Sequence, residues 1–284
     1  MQYCRVSKQE DIPQLKELWT LSFGDEGGYI DNFFQRYYRP ERMLVLEQAG
    51  SIQAMTAWFD TELVLPDGER KRAAYLYAVA THPDARNRGL AGYLLKDADM
   101  YFQSIGCDAV TTVPAEPSLH RFFARHGFQE YFTHQEKRYT NEGRHTETQF
   151  SIVPIEPHEY TMQREQHLKG IPHIALPKDA IFYQQGACAL KEGGGLYQAK
   201  ALFGSVLLCA EEMGNGTLLV KEILGEPSTV EQLLQELSIH LEQWSGLYRI
   251  PGNGTQFGML KWLNDREKSG FSWDQSGYLG LAFD

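Results

Sequence analysis

Residues 75–105 read YLYAVATHPDARNRGLAGYLLKDADMYFQSI. The first six are apolar or aromatic and strand-like, His82-Pro83-Asp84 is a polar turn, and Arg86-Asn87-Arg88-Gly89-Leu90-Ala91 is a basic loop. From Leu90 onward Leu94, Ala98, Tyr101, Phe102 and Ile105 mark one face of a helix that stops at Gly106. A buried strand that enters a helix through a basic, glycine-bearing loop makes an anion cradle. The first N–H groups of the helix have no partner within it, the helix dipole attracts negative charge, and the arginines add to that field. Gly89 and Ala91 lack bulk, so the backbone amides of Asn87 to Gly92 can approach an anion that Arg86 and Arg88 neutralise. On these residues alone, a plain strand-to-helix turn with solvated arginines fits as well.

Upstream, Ser7 and Glu10 fit a capping box, and Ile12, Leu15, Leu18, Trp19 and Phe23 follow at helical spacing. A second, aromatic helix is expected over 29–38, stopped by Arg39-Pro40. Strands at 43–48 and 52–65 flank Ala49-Gly50-Ser51, and Pro66-Asp67-Gly68 turns the chain into a third strand at 71–80, giving an antiparallel meander. Downstream, a short apolar strand at 108–113 lies one helix beyond that meander, which favours parallel pairing. A helix at 119–125, a strand at 128–139 and a polar linker at 141–149 follow.

The second half repeats this order. A loosely patterned helical region spans 157–190, interrupted by Pro172 and Pro177. Strands at 196–210 and 217–224 are joined through Gly214-Asn215-Gly216, and Ser228 and Glu231 fit a capping box ahead of the stripe Val230, Leu233, Leu234, Leu237, Leu241 and Trp244. Strands at 247–250, 256–263 and 278–283 close the chain. The fold class expected is α+β: a mixed, largely antiparallel sheet flanked by helices, built twice in tandem, with domains at 1–142 and 143–284.

Composition narrows the function classes. The chain has 284 residues, 42% hydrophobic and 23% charged, as a globular protein with a real core does. A net charge of −10 argues against general nucleic-acid binding and suits a cationic partner. The longest apolar run, 201–210, is too short to cross a membrane, and the start MQYCRVSKQEDIPQ shows no secretory signal, so a cytoplasmic location is expected. Cys4, Cys107, Cys188 and Cys209 are far apart, with no metal spacing, and read as reduced thiols; the nine histidines show no metal spacing either.

With Val79-Ala80-Thr81-His82-Pro83 followed by Arg86-Asn87-Arg88-Gly89-Leu90-Ala91-Gly92, the chain resembles the GNAT superfamily of acetyl-CoA-dependent N-acetyltransferases. That family's motif is an apolar strand, a proline soon after, and Arg/Gln-x-x-Gly-x-Gly/Ala opening a helix. The resemblance covers residues 1–140, where the meander and the later strand–helix unit keep the family's order. It implies acetyl-CoA as acyl donor without a metal, and a small-molecule or peptide amine as acceptor. It also implies that Val79, Ala80 and Thr81 pair with the pantetheine arm as an added strand, while Arg86, Asn87, Arg88, Gly89, Leu90, Ala91 and Gly92 cradle the phosphates.

The chain departs from the family in its proton chemistry. In 119–128 the family's tyrosine, placed to protonate the leaving thiolate, is replaced by Phe123, which has no proton to give. The family's glutamate falls near Tyr75, where Tyr75 and Tyr77 can line a cleft or belong to the core. Relatives of the enhanced-intracellular-survival type use their terminal carboxylate, which here would be that of Asp284; Glu26 is a further candidate carboxylate. A non-catalytic acyl-CoA-binding module is the alternative function. In the second half only Gly225-Glu226-Pro227 separates strand from helix, with no Arg-x-x-Gly, so that domain reads as GNAT-like without a cofactor motif. A sterol-carrier-protein-like domain is the alternative there. Such a domain can wall the acceptor site or make a homodimer interface.

Overall fold

The computed structural model describes residues 2–25, 27–140, 149–213, 217–240 and 245–283. The first half runs β1 (Gln2–Val6), α1 (Ile12–Phe23), α2 (Gly27–Arg36), β2 (Met43–Gln48), β3 (Ser51–Val64), β4 (Arg70–Thr81), α3 (Leu90–Ser104), β5 (Ala109–Thr112), α4 (Pro117–Arg125) and β6 (Gln129–Thr140). The second runs β7 (Ser151–Pro154), α5 (Pro157–His167), β8 (His173–Ala175), α6 (Lys178–Cys188), β9 (Gly195–Ala201) and β10 (Gly204–Glu212). It continues with β11 (Thr217–Leu224), α7 (Pro227–His240), β12 (Ser245–Pro251), β13 (Thr255–Trp262) and α8 (Asp265–Gly270).

These elements form two compact units, each discontinuous in sequence. The first comprises Met1–Val64, Glu69–Phe132 and Phe257–Gln275; the second comprises Leu65–Gly68, Thr133–Gln256 and Ser276–Asp284. Within the first unit the strand order is β1-β2-β3-β4-β5-β13, antiparallel throughout except for the parallel β4–β5 step. Within the second it is β7-β9-β10-β11-β12-β6, again antiparallel except for β11–β12. The two orders are the same, and in each the outermost strand beyond the parallel step comes from the other half of the chain. Residues 133–140 of β6 thus fall in the second unit and residues 257–262 of β13 in the first.

In the first unit α3 covers one sheet face, where Leu76, Leu90, Leu94, Phe102, Phe123 and Met259 share a buried cluster. Full burial of each such side chain contributes about 1.5–3 kcal/mol. The opposite face carries Trp19, Phe33, Tyr37 and Phe59, ring against ring under α1 and α2. In the second unit Val206, Leu208, Val220, Leu233 and Leu234 form the corresponding cluster under α7.

Several local expectations change. β1 was not anticipated. Ser7 does not cap α1: its hydroxyl pairs with Tyr38 Oη at 2.9 Å and donates to the Pro40 carbonyl at 3.1 Å, while the Asp11 carboxylate accepts from the Lys8 N–H at 2.7 Å. The 157–190 region is α5, β8 and α6, because prolines at 172 and 177 isolate an extended segment between helices. The run 196–210 is a hairpin of β9 and β10 that turns at Leu202-Phe203. α7 begins at Pro227, one residue before Ser228, and the Val230 N–H donates to the Glu226 carbonyl, so Glu226 stands at the cap. The final segment is buried, and Tyr278 forms an isolated parallel bridge with His173. The 214–216 turn and 141–148 of the expected linker lie outside the described residues.

Candidate functional site

β4 and β5 pair only from Ala73–Ala109 to Leu76–Thr112 and then part. Beyond Leu76, β4 keeps its β3 neighbour but has lost β5. Its register with β3 slips between Met55 and Ala57, so Ala78 and Val79 both stand opposite Thr56. At this bulge Ala78 adopts φ of 51°, a left-handed conformation costing a residue with a Cβ about 1–2 kcal/mol. The bulge also resets the alternation, so that Val79 rather than Ala78 packs toward the α3 cluster beside Leu76. Past the bulge the His82 N–H donates to the Gln53 carbonyl, so antiparallel alternation turns the peptide groups of Thr81 away from β3, toward the open edge. The Thr81 carbonyl accepts from Arg86 Nε at 3.2 Å.

The loop then delivers the start of α3. Asn87 and Gly89 are left-handed, φ 60° and 76°, and Gly89 is the N-cap residue, with no side-chain hydrogen bond to the helix end. Only glycine holds such a φ without strain. The N–H of Tyr93 already donates to the Gly89 carbonyl, so those of Leu90, Ala91 and Gly92 are the ones left at the helix end. Arg86, Asn87, Arg88 and Gly89 are all exposed around them, and Arg88 reaches Gln48 Oε1 at 3.2 Å. The structure thus brings together the predicted residues 79–81 and 86–92 at one end of the sheet.

Residues 4–131 match the family model described as an acetyltransferase (GNAT) domain. They are a GNAT domain. The whole-chain fold is similar to the GCN5-related N-acetyltransferase from Anabaena variabilis, with a TM-score of 0.74 at 14% identity over 93% of this chain and 74% of that one. The corresponding protein from Kribbella flavida gives 0.69 at 14% over 92% and 70%. Eis1 from Mycobacterium abscessus gives 0.70 at 12% over 93% and 74%. At these identities the likeness is one of fold. No curated protein sequence matches the chain.

In the GNAT domain Phe123 is buried and its ring packs against Phe122 and Phe128. Tyr75 is 1% exposed and lies against Phe59. Tyr77, two residues on and half-buried, packs its ring between Trp19, Phe33 and Phe59 and holds the Tyr29 hydroxyl at 2.7 Å. That hydroxyl pair was not anticipated: Tyr29 and Tyr77 are far apart in sequence, and nothing in either segment names the other. Gly92, expected to face an anion, has a neighbour of its own, since a Cβ there would lie 2.8 Å from His126 Cε1. Glu26 and Asp284 lie outside the described residues.

The second unit is built differently at the corresponding place. β11 and β12 also part after four pairs, at Val220–Tyr248, and β10–β11 also slips, at Cys209/Ala210, leaving Lys221 as the extra residue. Here the strand beyond the parting is charged. Lys221 is buried 3.3 Å from Glu211, and Glu222 is fully buried against Arg164 Nε at 3.0 Å and the Tyr160 hydroxyl at 2.9 Å. Arg164 also donates to the carbonyls of Ile174 and Leu279. A separate groove of about 470 Å³ on this unit is lined by Gln163, Gln166, His167 and Gln198, and none of its lining belongs to the β11–α7 junction. Among the described residues no group of three or more His, Cys, Asp or Glu side chains is placed to hold a metal, and no helix is long and apolar enough to cross a membrane.

Proposed function

We propose that the GNAT domain binds acetyl-CoA and transfers its acetyl group, by direct attack, to a primary amine on a small molecule or peptide. The observation that carries this reading is the meeting, at one end of β4, of an open strand edge and a helix start prepared by left-handed Gly89 within an arginine loop. Acetyl-CoA supplies an activated acyl thioester; the chain's own residues bind, align and exclude. Thr81, with Val79 and Ala80 beside it, offers peptide groups to an amide-bearing arm. The N–H groups of Leu90, Ala91 and Gly92, with Arg86 and Arg88, offer donors to a diphosphate. Phe123 gives no proton, so proton transfer is assigned to the Tyr77–Tyr29 hydroxyl pair rather than to buried Tyr75. Alignment of amine and thioester supplies much of the remaining rate. The net charge of −10 and the aromatic face under Tyr77 suit a cationic acceptor.

The second unit is read as a GNAT-like domain without a CoA site. Its β11–α7 junction, Gly225-Glu226-Pro227, has no basic loop, and Glu226 at the helix cap repels phosphate.

Isothermal titration with acetyl-CoA tests the reading. Wild-type protein binds, and Arg86→Ala with Arg88→Ala weakens binding by about tenfold or more. Absence of binding by the wild type would overturn it. Phe123 favours a second reading, a non-catalytic acyl-CoA-binding module. Thiol release in the presence of acetyl-CoA and a panel of primary amines separates the two, because turnover with any amine excludes the module.

A further inference from the structure

His126 follows α4 and lays its ring on the first turn of α3. A Cβ built on Gly92 would stand 2.8 Å from His126 Cε1 and 3.2 Å from Nε2, so the imidazole edge fills the space a side chain at position 92 would take. Cβ bonds tilt toward a helix's N-terminus, so that space opens on the side of the turn where the N–H groups of Leu90, Ala91 and Gly92 are left over. The ring is half-buried and braced by Phe122, centroid to centroid 4.8 Å, and among the described residues neither ring nitrogen is hydrogen-bonded. Two charged groups face it: Lys261 of β13 and Asp99 of α3, themselves ion-paired at 2.5 Å. Burial holds the imidazole below its usual pKa; Lys261 pushes the same way and Asp99 opposes both.

We infer that His126 is an anion-binding residue of the cradle, its imidazole donating a hydrogen bond to the diphosphate of a ligand held at the start of α3. This rests on the CoA reading above. It adds a group from a different element, α4's end, and a property that the arginines cannot give. In the free protein the ring is neutral near neutrality. An anion beside it favours the charged form, so the site takes up a proton from solvent as the ligand binds. Affinity then rises as pH falls through the imidazole's titration in the complex, tenfold for each pH unit by which binding raises its pKa. Gly92 is explained by the same contact, since any side chain there displaces the ring.

Dephospho-CoA is the probe, because it keeps the diphosphate but lacks the phosphate monoester that titrates near neutrality. Calorimetry from about pH 8 down to about pH 5.5, in two buffers of different ionisation enthalpy, reads affinity and proton uptake together. The wild type is expected to tighten about tenfold as pH falls, with net uptake, and His126→Gln to lose both while keeping its circular dichroism spectrum. Gly92→Ala is expected to weaken binding in the wild type and to have a smaller effect in a His126→Ala background. A pH slope in His126→Gln equal to that of the wild type overturns the inference and leaves the CoA reading intact. Absence of wild-type binding at every pH overturns both. Should the variants fail to fold, the His126 Cε1–H resonance of the wild type decides: an upward pKa on adding dephospho-CoA supports the inference, and an unmoved titration overturns it.

Discussion

Tyr77 stands one position past the last β4–β5 pair and one before left-handed Ala78, and its hydroxyl is tied to that of Tyr29. A phenol there can hold or pass a proton beside an amine, which Phe123 cannot. Tyr77→Phe is expected to leave acetyl-CoA binding by calorimetry unchanged and to lower amine-dependent thiol release about 10²- to 10⁴-fold. Unchanged release would remove the pair from the chemistry. A different residue-level constraint acts in the second unit. Gly280 has φ of 84°, and a Cβ on it would overlap Glu222 Oε1 and come within 3.1 Å of Arg164 Nη2. Those two groups form a buried pair, and disturbing such a pair costs about 3–5 kcal/mol because each charge loses its partner out of water. Gly280→Ala should therefore lower the calorimetric Tm sharply.

At the scale of elements, β6 carries a titration built into its burial. The His134 imidazole is 3% exposed, and burial, with Arg249 adding to it, lowers its pKa to about 4, while Glu136 opposes the shift. Unfolded, the same side chain titrates at about 6.5. Between those values the unfolded chain takes a proton that the folded one refuses, so stability falls as pH drops through that window, by up to about 3 kcal/mol. Urea titrations across it should show that slope, and His134→Gln should flatten it; an unaltered slope would place the effect elsewhere. The elements also show what a sequence can disclose. The 79–92 segment was readable because its chemistry is local: strand, proline, basic loop and helix start follow one another. α1, α2 and α3 were readable from periodicity. The β9–β10 hairpin was hidden because its turn, Leu202-Phe203, is apolar although both residues are exposed, so the run looked like one strand. β1 was hidden because its five residues, Gln2-Tyr3-Cys4-Arg5-Val6, are too few to show a clear alternation. The His126–Gly92 contact and the Tyr29–Tyr77 pair join segments whose patterns are independent.

At the scale of the molecule, the decisive feature is the exchange of outer strands. The 256–263 run was legible as a strand, but alternation reports which face is buried and not which neighbour is paired. Its actual neighbour is β5, with Met259 opposite Thr112 and Trp262 opposite Ala109. β13 also brings Lys261 to Asp99, and the segment after it brings Phe271 and Trp273 against Tyr131. A fragment of residues 1–142 loses all of these and leaves β5 as a bare edge. It is expected to lack a cooperative urea transition by circular dichroism, and adding a peptide of residues 255–275 should restore one; a cooperative fragment without the peptide would show that the strand is dispensable. During synthesis the same exchange sets an order of events. The N-terminal unit cannot be completed when residues 1–132 have left the ribosome, because its last strand and helix, Phe257–Gln275, are made only after the intervening Thr133–Gln256. The unit begun first thus waits for a strand made after most of the second, and until then its open sheet edge is exposed to pairing elsewhere.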